Sequence, residues 1–178
     1  MTLNEPITSQ ACLLPSLDIR QVTKEDLTAL EWEGQYKHFR NIYTQAFIRA
    51  QKGLAVLWVA DLNDKIVIGQ VFIQLVCGRL ELADGKSRAY LYGFRIRPAY
   101  RSQGIGSLML VKVEDDLKKR QFKIVCLNVA KDNLKAQSLY NRHGYLITAH
   151  EPGCWSYQDE KGDWQEVEEP AWRMEKHL

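Results

Sequence analysis

The run Phe94-Arg95-Ile96-Arg97-Pro98-Ala99-Tyr100-Arg101-Ser102-Gln103-Gly104-Ile105-Gly106-Ser107-Leu108-Met109-Leu110 leaves the chain little choice of fold. It reads as a strand, a short turn bearing two glycines, and the opening of a helix. Tyr90 to Arg97 mix aromatic and β-branched residues as strands do. Pro98 lacks an N–H and should stop that strand. Gly104 and Gly106 lack a Cβ, so the backbone can turn sharply and a bulky group can approach closely. Ile105, Leu108, Met109 and Val113 then recur at helical spacing and are expected on the core face. The first N–H groups of such a helix have no partner within it and point outward with the positive end of the dipole, which favours an anion there. Arg101 adds a cation that can fork onto a phosphate. The stretch predicts a cradle for a diphosphate.

The usual glycine motifs do not fit. A dinucleotide fingerprint that used Gly104 and Gly106 needs another glycine beyond Gly106, where Met109 stands, and a Walker loop needs Gly-Lys followed by Ser or Thr. Arg101-Ser102-Gln103-Gly104-Ile105-Gly106 instead resembles the acyl-CoA pyrophosphate loop of the GNAT superfamily of N-acetyltransferases, which reads Gln/Arg-x-x-Gly-x-Gly/Ala. A second stretch resembles the same family. Its run Asn-x-x-Ala-x-x-x-Tyr-x-x-x-Gly-Phe/Tyr is matched by Asn133, Ala136, Tyr140, Gly144 and Tyr145. Asn133 and Tyr140 are seven residues apart, about two helical turns, and so project on nearly the same face. The likeness covers Leu54 to Ile147 well and the ends in outline.

Length and composition agree with a single domain holding a substantial core. The chain has 178 residues, 46% hydrophobic and 26% charged. A net charge of +2 argues neither for nucleic acid nor for a membrane surface as partner. No stretch approaches a membrane span, and Met1 to Gln10 lack the pattern of a secretory signal. Cys12, Cys77, Cys126 and Cys154 are scattered, so a metal site or disulfide framework is not expected, and reduced thiols in a cytoplasmic protein are.

Residues 1–15 read as a flexible tail before a single domain at 16–178. Leu17 to Val22 alternates as a first strand. Thr23 with Asp26 opens a capping pattern, and Thr23 to Lys52 is expected to be helical, in two pieces broken around Gly34. Gly53 closes the second piece, which places Phe39, Ile42, Tyr43, Ala46 and Phe47 on one face. Leu54–Ala60 and Ile66–Val76 read as strands joined by a turn over 61–65, and Asp84-Gly85 reads as the hairpin before a strand at Arg88–Arg97. Lys118, Lys119 and Arg120 suit a helix C-terminus. Phe122–Val129 is a buried strand. Asp132 or Asn133 caps a short helix that Gly144 ends, and Gly162 marks a hairpin tip before a last strand around Trp172–Lys176. The resemblance implies an α/β fold, an α+β sandwich with a mixed, mostly antiparallel sheet of six to seven strands flanked by helices.

It also implies a chemistry. Acetyl-CoA would be the co-substrate, and a primary amine, small molecule or protein, the acceptor, attacking directly in a ternary complex. The main chain of Phe94, Arg95 and Ile96 would pair with pantetheine, with the N–H near Ile96 toward the thioester oxygen. Arg101 and the amides of Ser102, Gln103, Gly104, Ile105, Gly106 and Ser107 would hold the pyrophosphate. Asn133 would touch the pantetheine arm, and Tyr140 would bind there and give its proton to the departing sulfur. A homodimer is compatible with the family. A different reading of the same motifs is a non-catalytic module that binds acyl-CoA to regulate a partner.

No general base is assigned. Tyr90 and Tyr92 stand where some relatives carry a glutamate, and Glu81 and Glu151 read as solvated carboxylates. By the family's layout Trp32, Tyr36 and His38 lie near the acceptor, although packing accounts for the first two and a surface position for the third. The acids Asp159, Glu160, Asp163, Glu166, Glu168 and Glu169, set among Trp155, Tyr157, Trp164 and Trp172, would steer a cationic acceptor if they overhung the cleft. The simpler expectation is a solvated loop pinned by its tryptophans.

Overall fold

Strands β2 (Ala55–Leu62) and β3 (Ile66–Gln74) are apolar almost throughout and buried along nearly their whole length. Unbroken apolar strands need cover on both faces. In this computed structural model, which describes residues 16–63 and 66–178, helices supply it. α1 (Arg40–Gln51) lies on one face and α2 (Ile105–Lys119) on the other. The expected tail at 1–15 lies outside the described residues, as does part of the turn before Ile66.

The sheet has seven strands. They are β1 (Leu17–Gln21), β2, β3, β4 (Arg88–Ile96), β5 (Ile124–Ala130), β9 (Ala171–His177) and β6 (Leu146–Glu151), in that spatial order. Every pairing is antiparallel except β4 with β5. α2 is the crossover between those two parallel strands, and α3 (Leu134–Arg142) joins β5 to β6. β7 (Cys154–Gln158) and β8 (Trp164–Glu168) form a separate hairpin. Gly162 sits at its tip with φ +91°.

The α2-side core gathers Ile105, Met109, Leu110, Val113 and Leu117 against Val71, Leu91 and Leu127. Full burial of each such side chain is worth roughly 1.5–3 kcal/mol. Leu108, expected on this face, is 44% exposed, and Leu110 takes its place. The α1-side core holds Leu30, Tyr43, Ala46, Leu57, Val59, Val67 and Phe72.

The segment before α1 departs from expectation. It contains three short 3-10 turns, Lys24–Leu27, Ala29–Glu31 and Lys37–Phe39, and only α1 is an α-helix. Trp32, Glu33 and Gly34 have φ of 46°, 54° and 92°, so an α-helix cannot pass through them. Tertiary pairing outweighs helix propensity here. Glu31 holds Arg40 at 2.6 and 2.8 Å, and Glu33 holds Arg97 at 2.7 and 2.9 Å. The Arg97 guanidinium also stands 5.2 Å over the Trp32 ring. The expected box at Thr23 is present, with its N–H donating to Asp26 at 2.7 Å. The Asp84-Gly85 hairpin is not a tight one. The Asp84 carboxylate accepts from the amides of Lys86, Ser87 and Arg88 and shapes a wider loop ahead of β4.

Glu151 at the end of β6 is 4% exposed and accepts from Arg79 and Arg173. Burial alone would raise its carboxyl, but the hydrogen bonds from Arg79 and Arg173 outweigh that and hold it below the usual range. A depressed carboxyl stabilises the fold at neutral pH, and that contribution fades as acid protonates it. Glu151→Gln should cost about 2 kcal/mol at pH 7. In urea unfolding, the gap between the two proteins should narrow as pH falls through the carboxylate range. A gap independent of pH would contradict the assignment.

Candidate active site

The site begins with one extra residue. Ala89 and Leu91 on β4 face the α2 side, whereas Tyr92 faces α1. At Gly93 (φ +60°) the register between β3 and β4 slips. A bulge inverts the alternation of everything after it. Phe94 and Ile96 therefore join the α2-side core, while Arg95 reaches the α1 side and donates to the Tyr43 hydroxyl at 2.9 Å.

β4 pairs with β5 only over Arg88–Leu91. Beyond Leu91 it keeps β3 alone, and β5 keeps β9. The two parallel strands thus open a wedge whose β4 side presents the main chain of Phe94, Arg95 and Ile96. The Ile96 carbonyl is engaged, accepting from Arg101 Nε at 2.9 Å.

The chain leaves β4 through a single 3-10 turn, Pro98–Tyr100, and enters α2. Ser102 (φ 60°) and Gly104 (φ 83°) bend it through the left-handed region. The first amide to find an internal acceptor after that bend is Leu108, bonded to the Gly104 carbonyl at 3.1 Å. No main-chain N–H from Ser102 to Ser107 has an acceptor among the described residues. The glycines differ in role. A Cβ at Gly104 would meet open space, so that position is chosen for its backbone angle. A Cβ at Gly106 would stand 3.3 Å from Leu139 and 3.8 Å from Phe94, so that position is chosen for close approach of α2, α3 and β4.

α3 brings the second motif to the same place. The Asn133 side chain caps it, accepting from the Ala136 N–H at 3.1 Å, which leaves its amide hydrogens free to donate. Tyr140 is 7% exposed, its ring 6.5 Å from Phe94 and 5.7 Å from Tyr145. No group among the described residues hydrogen-bonds its hydroxyl. Burial, with the nearby Tyr90 phenol, pushes its pKa well above the ordinary tyrosine value, so it stays a neutral donor. Sequence reasoning missed the clasp between the helices, His143 Nε2 to Ser107 Oγ at 2.9 Å. No spacing rule links those two positions.

On the α1 side an aromatic cluster flanks β4. Tyr36 and Phe39 stack at 6.2 Å, and Phe39 meets Tyr43, Trp155 and Tyr157. Tyr90 and Tyr92 stack at 5.9 Å, and burial pushes the Tyr92 phenol up to about 12. Trp32 is core, 3% exposed, while His38 lies between Phe39 and Tyr157. The β7–β8 hairpin lies against this cluster through Trp155 and Tyr157. Its register puts Glu166 opposite Ser156 and Glu168 opposite Cys154, on the face away from those aromatics. Asp159 is occupied by the amides of Lys161 and Asp163 and by Gln165. Asp159, Glu166 and Glu168 of the acidic run are thus turned from the aromatic cluster or already engaged. Glu81 and Glu151 are both tied to Arg79, and Glu151, expected as a solvated carboxylate, is buried because Arg79 and Arg173 meet its charge.

A wedge between parallel strands, ending at a run of free amides and flanked by a buried phenol, is the arrangement that the resemblance to an acyl-CoA-dependent transferase calls for. The family comparison agrees. Residues 19–145 match the model of the acetyltransferase (GNAT) family, and the chain belongs to that family. A spermidine N(1)-acetyltransferase of Thermoplasma acidophilum is 24% identical over 153 residues, 74% of this chain and 89% of the relative. The ribosomal-protein-S18-alanine N-acetyltransferase of Escherichia coli superposes with TM-score 0.68 at 20% identity, over 91% of this chain and 94% of the other. The PaiA N-acetyltransferase of Thermoplasma acidophilum, solved with coenzyme A, gives TM-score 0.64 at 20% identity over 92% and 99%. The protein is an N-acetyltransferase that takes acetyl-CoA as co-substrate and an amine as acceptor.

Charge-assisted hydrogen bonds are worth about 1.5–3 kcal/mol. Arg101→Ala should therefore loosen coenzyme A by about 10- to 100-fold and flatten the salt dependence of binding. Calorimetry with coenzyme A and with pantetheine, which lacks the phosphates, checks this. An equal loss for both ligands would place Arg101 elsewhere than at the phosphates.

Proposed function

We propose that the chain acetylates a primary amine by direct attack within a ternary complex, with the wedge holding pantetheine and the α2 N-terminus holding the pyrophosphate. The observation that carries this is the unbroken run of free amides from Ser102 to Ser107 at the end of a strand whose own edge is unpaired. Hydrogen-bond donors left unsatisfied in a folded chain are costly unless water or a ligand meets them. Arg101, at the same bend, supplies a positive charge beside them.

The residues then have these parts. The β4 edge at Phe94, Arg95 and Ile96 pairs with the amides of the pantetheine arm, joined by the free amide hydrogens of Asn133. An N–H of β4 polarises the thioester carbonyl as its oxygen gains charge. The neutral amine forms the C–N bond, the C–S bond breaks, and the sulfur takes the Tyr140 proton. The surplus proton on nitrogen passes to water, and the phenol is reprotonated from solvent. No carboxylate is needed as base, because an amine that arrives neutral already has its lone pair. The unpaired cysteines Cys77, Cys126 and Cys154 suit a reducing cytoplasm, and no described helix is long and apolar enough to cross a membrane.

Tyr140→Phe should lower kcat by roughly 10²- to 10⁴-fold while KM for acetyl-CoA changes little. With its pKa raised, Tyr140 keeps its proton to beyond about pH 10. The rate should therefore climb with pH as the amine deprotonates and show no fall owed to Tyr140 below that point. Thiol release with a panel of amines measures this. A Phe variant that turns over as fast as the parent would remove Tyr140 from the reaction.

A further inference from the structure

The bulge at Gly93 sends the Arg95 side chain to the α1 side of β4, directly across the strand from the residues proposed to grip the thioester. Two other arginines at this strand are neutralised. Arg88, on the same strand, pairs with Glu175 at 2.6 Å, and Arg97 pairs with Glu33 at 2.7 Å. Among the described residues, no carboxylate pairs with Arg95. Its guanidinium stands 4.3 Å over the Tyr36 ring and 4.8 Å over Phe39, and spends one donor on the Tyr43 hydroxyl. Burial raises the Tyr43 phenol and so keeps it neutral, although Arg95 and Gln70 pull against that. The arginine is oriented by aromatic faces and one phenol, with its remaining N–H groups unspent.

We propose that Arg95 is the specificity residue of the acceptor site and that the acceptor is a small amine carrying a carboxylate within a few bonds of its nitrogen, of the α-amino acid type. This deepens the transfer reading above and rests on it. A planar guanidinium matches a carboxylate with two parallel hydrogen bonds. A guanidinium without a carboxylate partner of its own matches one negative charge on the acceptor. The position is close to the chemistry. Arg95 stands between Phe94 and Ile96 on β4, so a carboxylate on its guanidinium sits one side-chain length from the main chain proposed to hold the thioester. A polyamine would bring like charge against the same guanidinium, and Glu166 and Glu168 of the β7–β8 hairpin face away from the aromatic cluster.

The test compares matched acceptors with acetyl-CoA by thiol release: phenylalanine against phenethylamine, alanine against ethylamine, and spermidine as the polycation. The carboxylate-bearing member of each pair should show at least a tenfold higher kcat/KM, mainly through KM. Arg95→Gln should bring that ratio close to one, and Arg95→Lys should restore part of it. Because the readout is a ratio within one protein, general damage to a variant cancels. Equal use of both members, a preference for the decarboxylated amine or spermidine, or a ratio that survives Arg95→Gln would overturn the proposal. Binding of N-acetylphenylalanine against N-acetylphenethylamine in the presence of coenzyme A reads the same contact without turnover. If no amine releases thiol but the N-acetyl amino acid binds at least tenfold tighter in an Arg95-dependent way, the transfer reading fails and the Arg95 assignment stands.

Discussion

The arrangement depends on a set of donors with nothing to donate to. From Ser102 to Ser107 the main chain turns into α2 with its amides outward, and the first internal bond is made by Leu108. An α-helix always leaves its first N–H groups orphaned. Here the run is lengthened by the left-handed Ser102 and Gly104 ahead of it, since the amides of that bend have no acceptor among the described residues either. A neighbouring acidic side chain would close such a cradle. Instead the flanking cation, Arg101, has its Nε on the Ile96 carbonyl and so stands fixed beside the opening. The positive potential is built by backbone geometry, which is why so few side chains specify it.

A second constraint follows from one glycine in β4. Without the slip at Gly93, the side chains beyond it would exchange faces. Phe94 and Ile96 would leave the core they share with α2, and Arg95 would be driven into it. With the slip, one strand faces two compartments: an apolar side with Phe94 and Tyr140, proposed for the coenzyme arm, and an aromatic side with Arg95, Tyr36 and Tyr43, proposed for the acceptor. The parting of β4 from β5 after Leu91 connects them. The hydrogen bond between Ser107 and His143 and the close approach at Gly106 tie α3, which carries Tyr140, to the start of α2.

Much of this was readable in the residues, and the parts that were not share a cause. The strand, turn and helix around Gly104 and Gly106 are written locally, in Pro98, in the glycines and in apolar spacing. So are the cap at Asn133 and the hairpin tip at Gly162. The segment from Thr23 to Phe39 misled because its conformation is set from a distance. Glu31, Trp32 and Glu33 give up helical geometry for partners at Arg40 and Arg97. The side taken by Arg95 was hidden for the same reason, since a bulge is a property of a strand pair. The acidic run illustrates the reverse case. Its composition allowed a cation trap beside the simpler expectation of a solvated loop, and the pairing of Trp155 with Val167 puts Glu166 and Glu168 on the face away from the aromatics.

The most direct test of the central claim is to watch the amides themselves. In an ¹⁵N-labelled sample titrated with coenzyme A, the backbone resonances of Ser102 to Ser107 should move first and furthest, followed by those of β4 beyond Leu91. Removing the phosphates from the ligand should abolish the first set and spare the second. Coenzyme A that binds while Ser102–Ser107 remain unmoved, or ATP that moves them equally well and competes on even terms, would contradict the account.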